Sequence, residues 1–73
     1  MSDKKSLYEQ VHKDCLAVLE GETSQLARMA TISCLLAQAF PGNIWTGFYM
    51  VDTEKSEELV VGPYQGTLGC LRI

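Results

Sequence analysis

The sequence predicts an α+β fold, an α/β sandwich in which two helices pack against an antiparallel sheet. Two observations carry this. Residues 5–40 repeat apolar side chains with the 3.6-residue period of a helix, and from residue 43 the period falls to 2, that of a strand. Glycine or proline separates the segments, at Gly21, Pro41-Gly42 and Gly62-Pro63.

The first helix is expected over residues 5–20. Tyr8, Val11, Cys15, Leu16 and Leu19 fall on one face, with Glu9, Lys13, Asp14 and Glu20 largely off it. Gly21 tolerates the left-handed conformation that closes a helix. The second helix is expected over about 23–40, capped by Thr23 or Ser24 and closed by Pro41, which disfavours helical backbone at Phe40. From Leu26 to Phe40 its only charge is Arg28. Leu26, Met29, Ala30, Ser33, Ala37 and Phe40 form one stripe, widened by Ile32, Leu35, Leu36 and Ala39. A helix this apolar is expected to be covered on most sides.

Residues 43–51 read as a strand with Ile44, Thr46, Phe48 and Met50 on one face and Trp45, Gly47, Tyr49 and Val51 on the other. Apolarity on both faces predicts a strand internal to its sheet. Asp52 to Glu58, with three glutamates, reads as a solvated hairpin loop. Leu59-Val60-Val61 is a second, antiparallel strand ended by Gly62-Pro63; residues 62–66 read as a turn and 65–69 as a glycine-rich loop. Cys70-Leu71-Arg72-Ile73 starts a third strand. Two helices and two strands are short cover for so apolar a second helix, and the reading expects a piece of a larger domain; a small αα-ββ protein completed by dimerisation is the alternative.

Composition narrows the function. Of 73 residues, 47% are apolar and 21% charged, a globular mix too apolar for disorder. The net charge is −3, and the six basic residues are scattered rather than gathered into a phosphate-binding stripe, which argues against nucleic acid as a partner. No apolar run approaches the roughly 20 residues of a membrane span, and Met1-Ser2-Asp3-Lys4-Lys5 is not followed by the apolar core of a secretory signal. A cytoplasmic location with reduced thiols is expected. Cys15, Cys34 and Cys70 are widely spaced, and His12, the only histidine, adds no four-ligand metal site.

Three residues stand out chemically. Trp45 and Tyr49 flank Gly47 on one strand face, which reads either as an aromatic-walled notch for a small apolar group or as packing in which Gly47 accommodates a crossing helix. Cys70 follows a glycine-rich loop and lies near Arg72, which reads either as a mobile thiol beside a cation or as a small buried residue. Cys15 and Cys34 read as inert core within helices, and His12 as a surface residue.

Four segments, taken in order and spacing, resemble the free methionine-(R)-sulfoxide reductase family, a branch of the GAF domains. They are Gly21-Glu22-Thr23-Ser24, Trp45-Thr46-Gly47-Phe48-Tyr49, residues 59–66 (Leu-Val-Val-Gly-Pro-Tyr-Gln-Gly) and Cys70-Leu71-Arg72-Ile73. The resemblance implies that residues 1–73 are the N-terminal portion of a single GAF domain, stopping at the start of the third strand. It implies reduction of free methionine-(R)-sulfoxide by thiols, with no further cofactor. Trp45 and Tyr49 would line the pocket for the methyl-sulfinyl group, and Cys70 would be the resolving cysteine. The family's nucleophilic cysteine lies beyond the position of Ile73, so the 73-residue chain alone is expected to be inactive. Implied partners are free methionine sulfoxide, a thioredoxin-like reductant, the remainder of the domain and a second copy in a homodimer. A non-catalytic GAF sensor of small molecules is the other reading. The sequence departs from the family at Thr67-Leu68-Gly69, where relatives usually carry Lys and then Ala before the cysteine, and at Ile44, where an asparagine is common.

Overall fold

The computed structural model describes residues 3–55 and 57–73. The statements about Met1 and Ser2 at the N-terminus and about Ser56 in the hairpin loop lie outside the described residues. Four elements follow in order: α1 (Lys4–Leu19), α2 (Gln25–Ala39), β1 (Trp45–Val51) and β2 (Leu59–Gly66). They make a thin slab of 44 × 30 × 16 Å in which α2 packs on the sheet and α1 packs on α2 without reaching β1 or β2, so only one of the two helices expected against the sheet touches it. No helix among the described residues is long and apolar enough to cross a membrane.

Each helix begins at a side-chain cap. Asp3 Oδ1 accepts the Ser6 N–H at 2.7 Å, and Ser24 Oγ accepts the Ala27 N–H at 3.1 Å, each satisfying a donor that the first turn leaves free. Gly21 follows α1 at φ +81°, the left-handed geometry expected of it. Phe40 leaves helical geometry ahead of Pro41, at φ −124° and ψ 68°. Its ring meets that of Tyr8 at 4.8 Å and ties α1 to the end of α2.

The core is small. Val11, Met29 and Ser33 are the buried residues, while Leu16, Leu26 and Tyr8 are more than half exposed. The expectation that α2 is covered on most sides is not met by the described elements. α1 and the sheet both pack on α2, yet Leu26 stays 68% exposed and most of the other apolar side chains are only half-buried.

Three strand assignments need correction. First, β1 begins at Trp45, not Asn43, because the turn at Pro41-Gly42 still holds the Asn43 N–H on the Phe40 carbonyl at 3.0 Å. Second, β1 is not the strand paired on both edges among the described residues. Among the described residues it pairs with β2 alone, and β2 is the inner strand: its other edge meets residues 71–73, through Val61 N–H to Leu71 O at 2.8 Å and a reciprocal Leu59–Ile73 pair at 2.7 and 2.9 Å. Apolarity on both faces reports cover above and below a sheet; hydrogen bonding runs in the plane and is a separate matter. The antiparallel pairing at 71–73 accords with the expected start of a third strand.

Third, β2 does not end at Gly62-Pro63. It runs on to Gly66 through a bulge, where Phe48 lies opposite both Gly62 and Pro63 and the register resumes at Gly47–Tyr64. A proline has no N–H to give the ladder, and a bulge is where a strand tolerates one. The bulge rests on α2. Ser33, the most buried side chain at 1% exposure, has its hydroxyl within hydrogen-bond distance of two carbonyls, Met29 O at 2.9 Å and Pro63 O at 3.3 Å, which share its one proton. A small side chain here lets the strand approach the helix and puts a donor against the carbonyl of the bulge.

Replacing this residue separates its two roles. Ser33→Ala is expected to cost about 1 kcal/mol, one lost hydrogen bond, and Ser33→Leu a further 1–3 kcal/mol or so from overpacking. Urea midpoints followed by Trp45 fluorescence would show it; equal midpoints for the two variants would mean that α2 and the bulge are not in close contact.

Candidate functional site

Trp45, Tyr49 and Tyr64 share the sheet face opposite α2. Met50 instead borders a hollow of about 310 Å³ with Leu26, Met29, Val61 and Pro63 on the helix side. In an extended strand the Cα atoms of i and i+4 stand about 13 Å apart. The Trp45 and Tyr49 rings nevertheless stack at 5.6 Å between centroids, leaning together over side-chain-free Gly47. Tyr64 comes from β2 and stacks on Trp45 at 5.4 Å. The indole is therefore the middle layer of a three-ring stack.

This corrects the notch. A methyl between two ring faces needs roughly 7 Å, two van der Waals contacts of about 3.5 Å, which a 5.6 Å stack does not leave. Nor is Gly47 an open floor. A Cβ there would lie 2.3 Å from Tyr64 Cβ and 2.7 Å from Pro63 O, so the glycine admits the neighbouring strand rather than a ligand or a crossing helix. The sequence reading missed Tyr64 because it ended the strand at Val61, five residues too early. The signal available was Gly47 itself, which marks a close backbone approach within a strand.

Residues 67–70 fold over the stack. The loop starts at Gly66, φ +113°, where a Cβ would be driven into the Ile44 carbonyl. That carbonyl accepts the Thr67 N–H at 2.9 Å and the Thr67 hydroxyl at 3.3 Å. Further on, the Tyr49 hydroxyl donates to Cys70 O at 2.7 Å, and the Gly69 N–H donates to the Tyr64 hydroxyl at 3.4 Å. Gly69 lies directly against the indole, where an added Cβ would stand 2.9 Å from Trp45 Nε1. That Nε1–H is itself buried without a hydrogen-bond partner. An unsatisfied buried donor costs on the order of 1–3 kcal/mol and asks for an acceptor.

Cys70 is exposed in this chain rather than packed away as a small buried residue. Its suggested cation is engaged elsewhere. The Arg72 guanidinium donates to Asp52 Oδ2 at 2.6 Å and reaches Glu58 at 3.4 Å. Asp52 is thus more than a loop residue. One oxygen binds Arg72 and the other accepts the Glu54 and Lys55 N–H groups at 2.8 and 3.0 Å, so it closes the hairpin and holds residues 71–73 against β2. Cys15 and Cys34 are half-buried on the helices, and His12 is exposed as expected. Among the described residues, no group of histidines, cysteines and carboxylates is placed to hold a metal ion.

The hydrogen bond from Arg72, followed by those from the Glu54 and Lys55 backbone, holds the Asp52 carboxyl below its ordinary 3.8. A carboxylate lowered in the folded state stabilises it in full above that ordinary value and stops doing so as pH falls through its own, lower pKa. The stability difference between the chain and its Asp52→Asn variant is therefore expected to be constant from neutral pH to about 5 and to close below pH 3.8. Urea midpoints across this range test it; a gap that persists in acid would show that the carboxylate charge is not what holds Arg72.

No family model matches the chain. Individual relatives do. The chain is 40% identical over 70 residues to GAF domain-containing protein A of Dictyostelium discoideum, covering 96% of this chain and 42% of the relative. It is 38% identical over 71 residues to free methionine-R-sulfoxide reductase of Escherichia coli, covering 97% and 41%. A solved free methionine-R-sulfoxide reductase of Neisseria meningitidis, in complex with its substrate, superposes with a TM-score of 0.89 at 45% identity, over all of this chain and 42% of that one. The chain spans about two fifths of the length of the relatives it matches.

Proposed function

We propose that the chain, similar over nearly its whole length to free methionine-R-sulfoxide reductases and GAF-fold proteins, is the N-terminal part of a reductase of free methionine-(R)-sulfoxide, contributing the aromatic side of the substrate site and the resolving thiol. The observation that carries this is the seating of the Cys70 loop on the Trp45–Tyr49–Tyr64 stack. Cys70, an exposed residue, is held through its backbone carbonyl at the edge of the ring stack, which buries one unpaired donor, Trp45 Nε1–H. A methyl-sulfinyl group pairs an apolar methyl with a polar S=O and matches both features.

In the reaction, a thiolate supplied outside these 73 residues attacks the sulfoxide sulfur. The oxygen is protonated and passes as hydroxyl to the attacking sulfur while its bond to the substrate sulfur and the new S–S bond break, so free methionine leaves and the nucleophile is left as a sulfenic acid. The Cys70 thiolate then attacks that sulfur, water leaves and a disulfide forms. A dithiol of thioredoxin type reduces the disulfide and is itself oxidised. Cys15 and Cys34, set into the two helices, do not take the nucleophile's place.

A non-catalytic sensor of small molecules is the second reading, favoured by the GAF-domain relative and served equally well by the ring stack. Cys70→Ser separates them, being harmless to a sensor and fatal to turnover through a disulfide.

The chain alone is expected to show no thiol-dependent loss of free methionine-(R)-sulfoxide. Turnover that survived Cys70→Ser but not Cys15→Ser would overturn the cysteine roles. In a protein of the relatives' full length, Trp45→Ala is expected to lower kcat/KM by about 2–4 kcal/mol, part of it lost packing. Phe48→Leu, on the other face of β1, is the control; equal losses in stability and in kcat/KM would reduce Trp45 to core.

A further inference from the structure

We infer that Tyr49 and Tyr64 act through their hydroxyls as positioning residues, clasping the Cys70 loop onto the indole of Trp45. To call this positioning rests on the reading of Cys70 as the redox thiol; the clasp itself does not.

The hydroxyls have no other work in the structure. Each ring already packs by stacking on Trp45, which a phenylalanine would do as well. Each hydroxyl reaches the loop backbone at adjacent residues, one donating to Cys70 O and the other accepting from Gly69 N–H. The loop is fixed at both ends, by Thr67 on the Ile44 carbonyl and by Leu71 and Ile73 on β2. Between them Leu68 is 91% exposed and holds nothing. Among the described residues, no polar contact besides the two hydroxyls holds residues 68–70 down. With them, the Cys70 peptide is fixed while its thiol stays exposed, and Gly69 closes over the indole N–H.

The closure is also what leaves Trp45 Nε1–H without a partner. In the clasped state no acceptor reaches it; lifting residues 68–70 uncovers it. The hydroxyls therefore set two things together, the seat of the thiol and access to the donor beneath it.

The test uses the 73-residue chain and needs neither substrate nor turnover. Trp45 is the only tryptophan, so its emission reports the cover over the indole. Tyr49→Phe removes the shorter hydrogen bond and keeps the ring. It is expected to red-shift that emission and to speed amide hydrogen exchange across residues 67–70 about fivefold, as losing one hydrogen bond does, with exchange in α2 unchanged. Gly69→Ala opens the clasp differently, by wedging a methyl against Nε1, and is expected to give the same loop-limited response. Tyr64→Phe gives a smaller one, in keeping with its 3.4 Å contact. Tyr8→Phe, far from the loop, gives none. No change in Tyr49→Phe and Gly69→Ala would overturn the inference. So would loosening of α2 to the same degree as the loop, since the hydroxyls would then be supporting the fold as a whole. Either failure leaves the reductase reading standing, and failure of the turnover tests leaves the clasp standing.

Discussion

The site depends on how β2 is seated against α2. Ser33 is small enough to be wholly enclosed and polar enough to hold the Pro63 carbonyl, and it meets β2 where Phe48 faces two residues instead of one. This extra residue resets the register beyond it. A strand slipped by one residue turns every later side chain to the opposite face. The bulge therefore decides that Tyr64 comes opposite Gly47 and stacks on Trp45. The proline that would break a regular ladder sits at the one place where its missing N–H costs nothing.

From that seat the remaining geometry follows with little freedom. Gly47 lets the Tyr64 backbone approach, the three rings stack, and their two hydroxyls meet the loop that carries Cys70. On the far side of the loop, Asp52 and Arg72 hold residues 71–73 to the edge of β2. The thiol is thus placed by contacts from both strands and the hairpin. None of those contacts involves the thiol itself, which is left exposed. This division suits a group that has to reach a partner sulfur while its backbone stays put.

Both helices, their caps at Ser24 and Gly21, and the hairpin were legible in the sequence, because periodicity and punctuation there act locally. Trp45 and Tyr49 were legible as sharing a face, since alternation alone puts them there. Their mutual contact was not, because leaning depends on what fills the space over Gly47, and that is Tyr64 from another strand. Proline was taken as a strand end when it marked a bulge, a distinction that only the partner strand and Ser33 make. That β2 rather than β1 is paired on both edges among the described residues was not legible for a similar reason: apolar faces say nothing about in-plane neighbours. Arg72 looked like a cation for Cys70 by proximity in sequence, but two carboxylates from the hairpin compete for it and hold it.

The central claim is that the ring stack and the loop above it form one side of a ligand site rather than a sealed piece of core. The most direct measurement is an NMR titration of the isotope-labelled chain with free methionine-(R)-sulfoxide and, separately, its S epimer. The account predicts saturable shifts for the R epimer centred on the Trp45 indole N–H and the amides of Gly69 and Cys70, with weaker effects from the S epimer. Shifts centred instead on Met29, Met50 and Gly62, in the hollow between α2 and the sheet, or no saturable shift at the indole N–H, would contradict it.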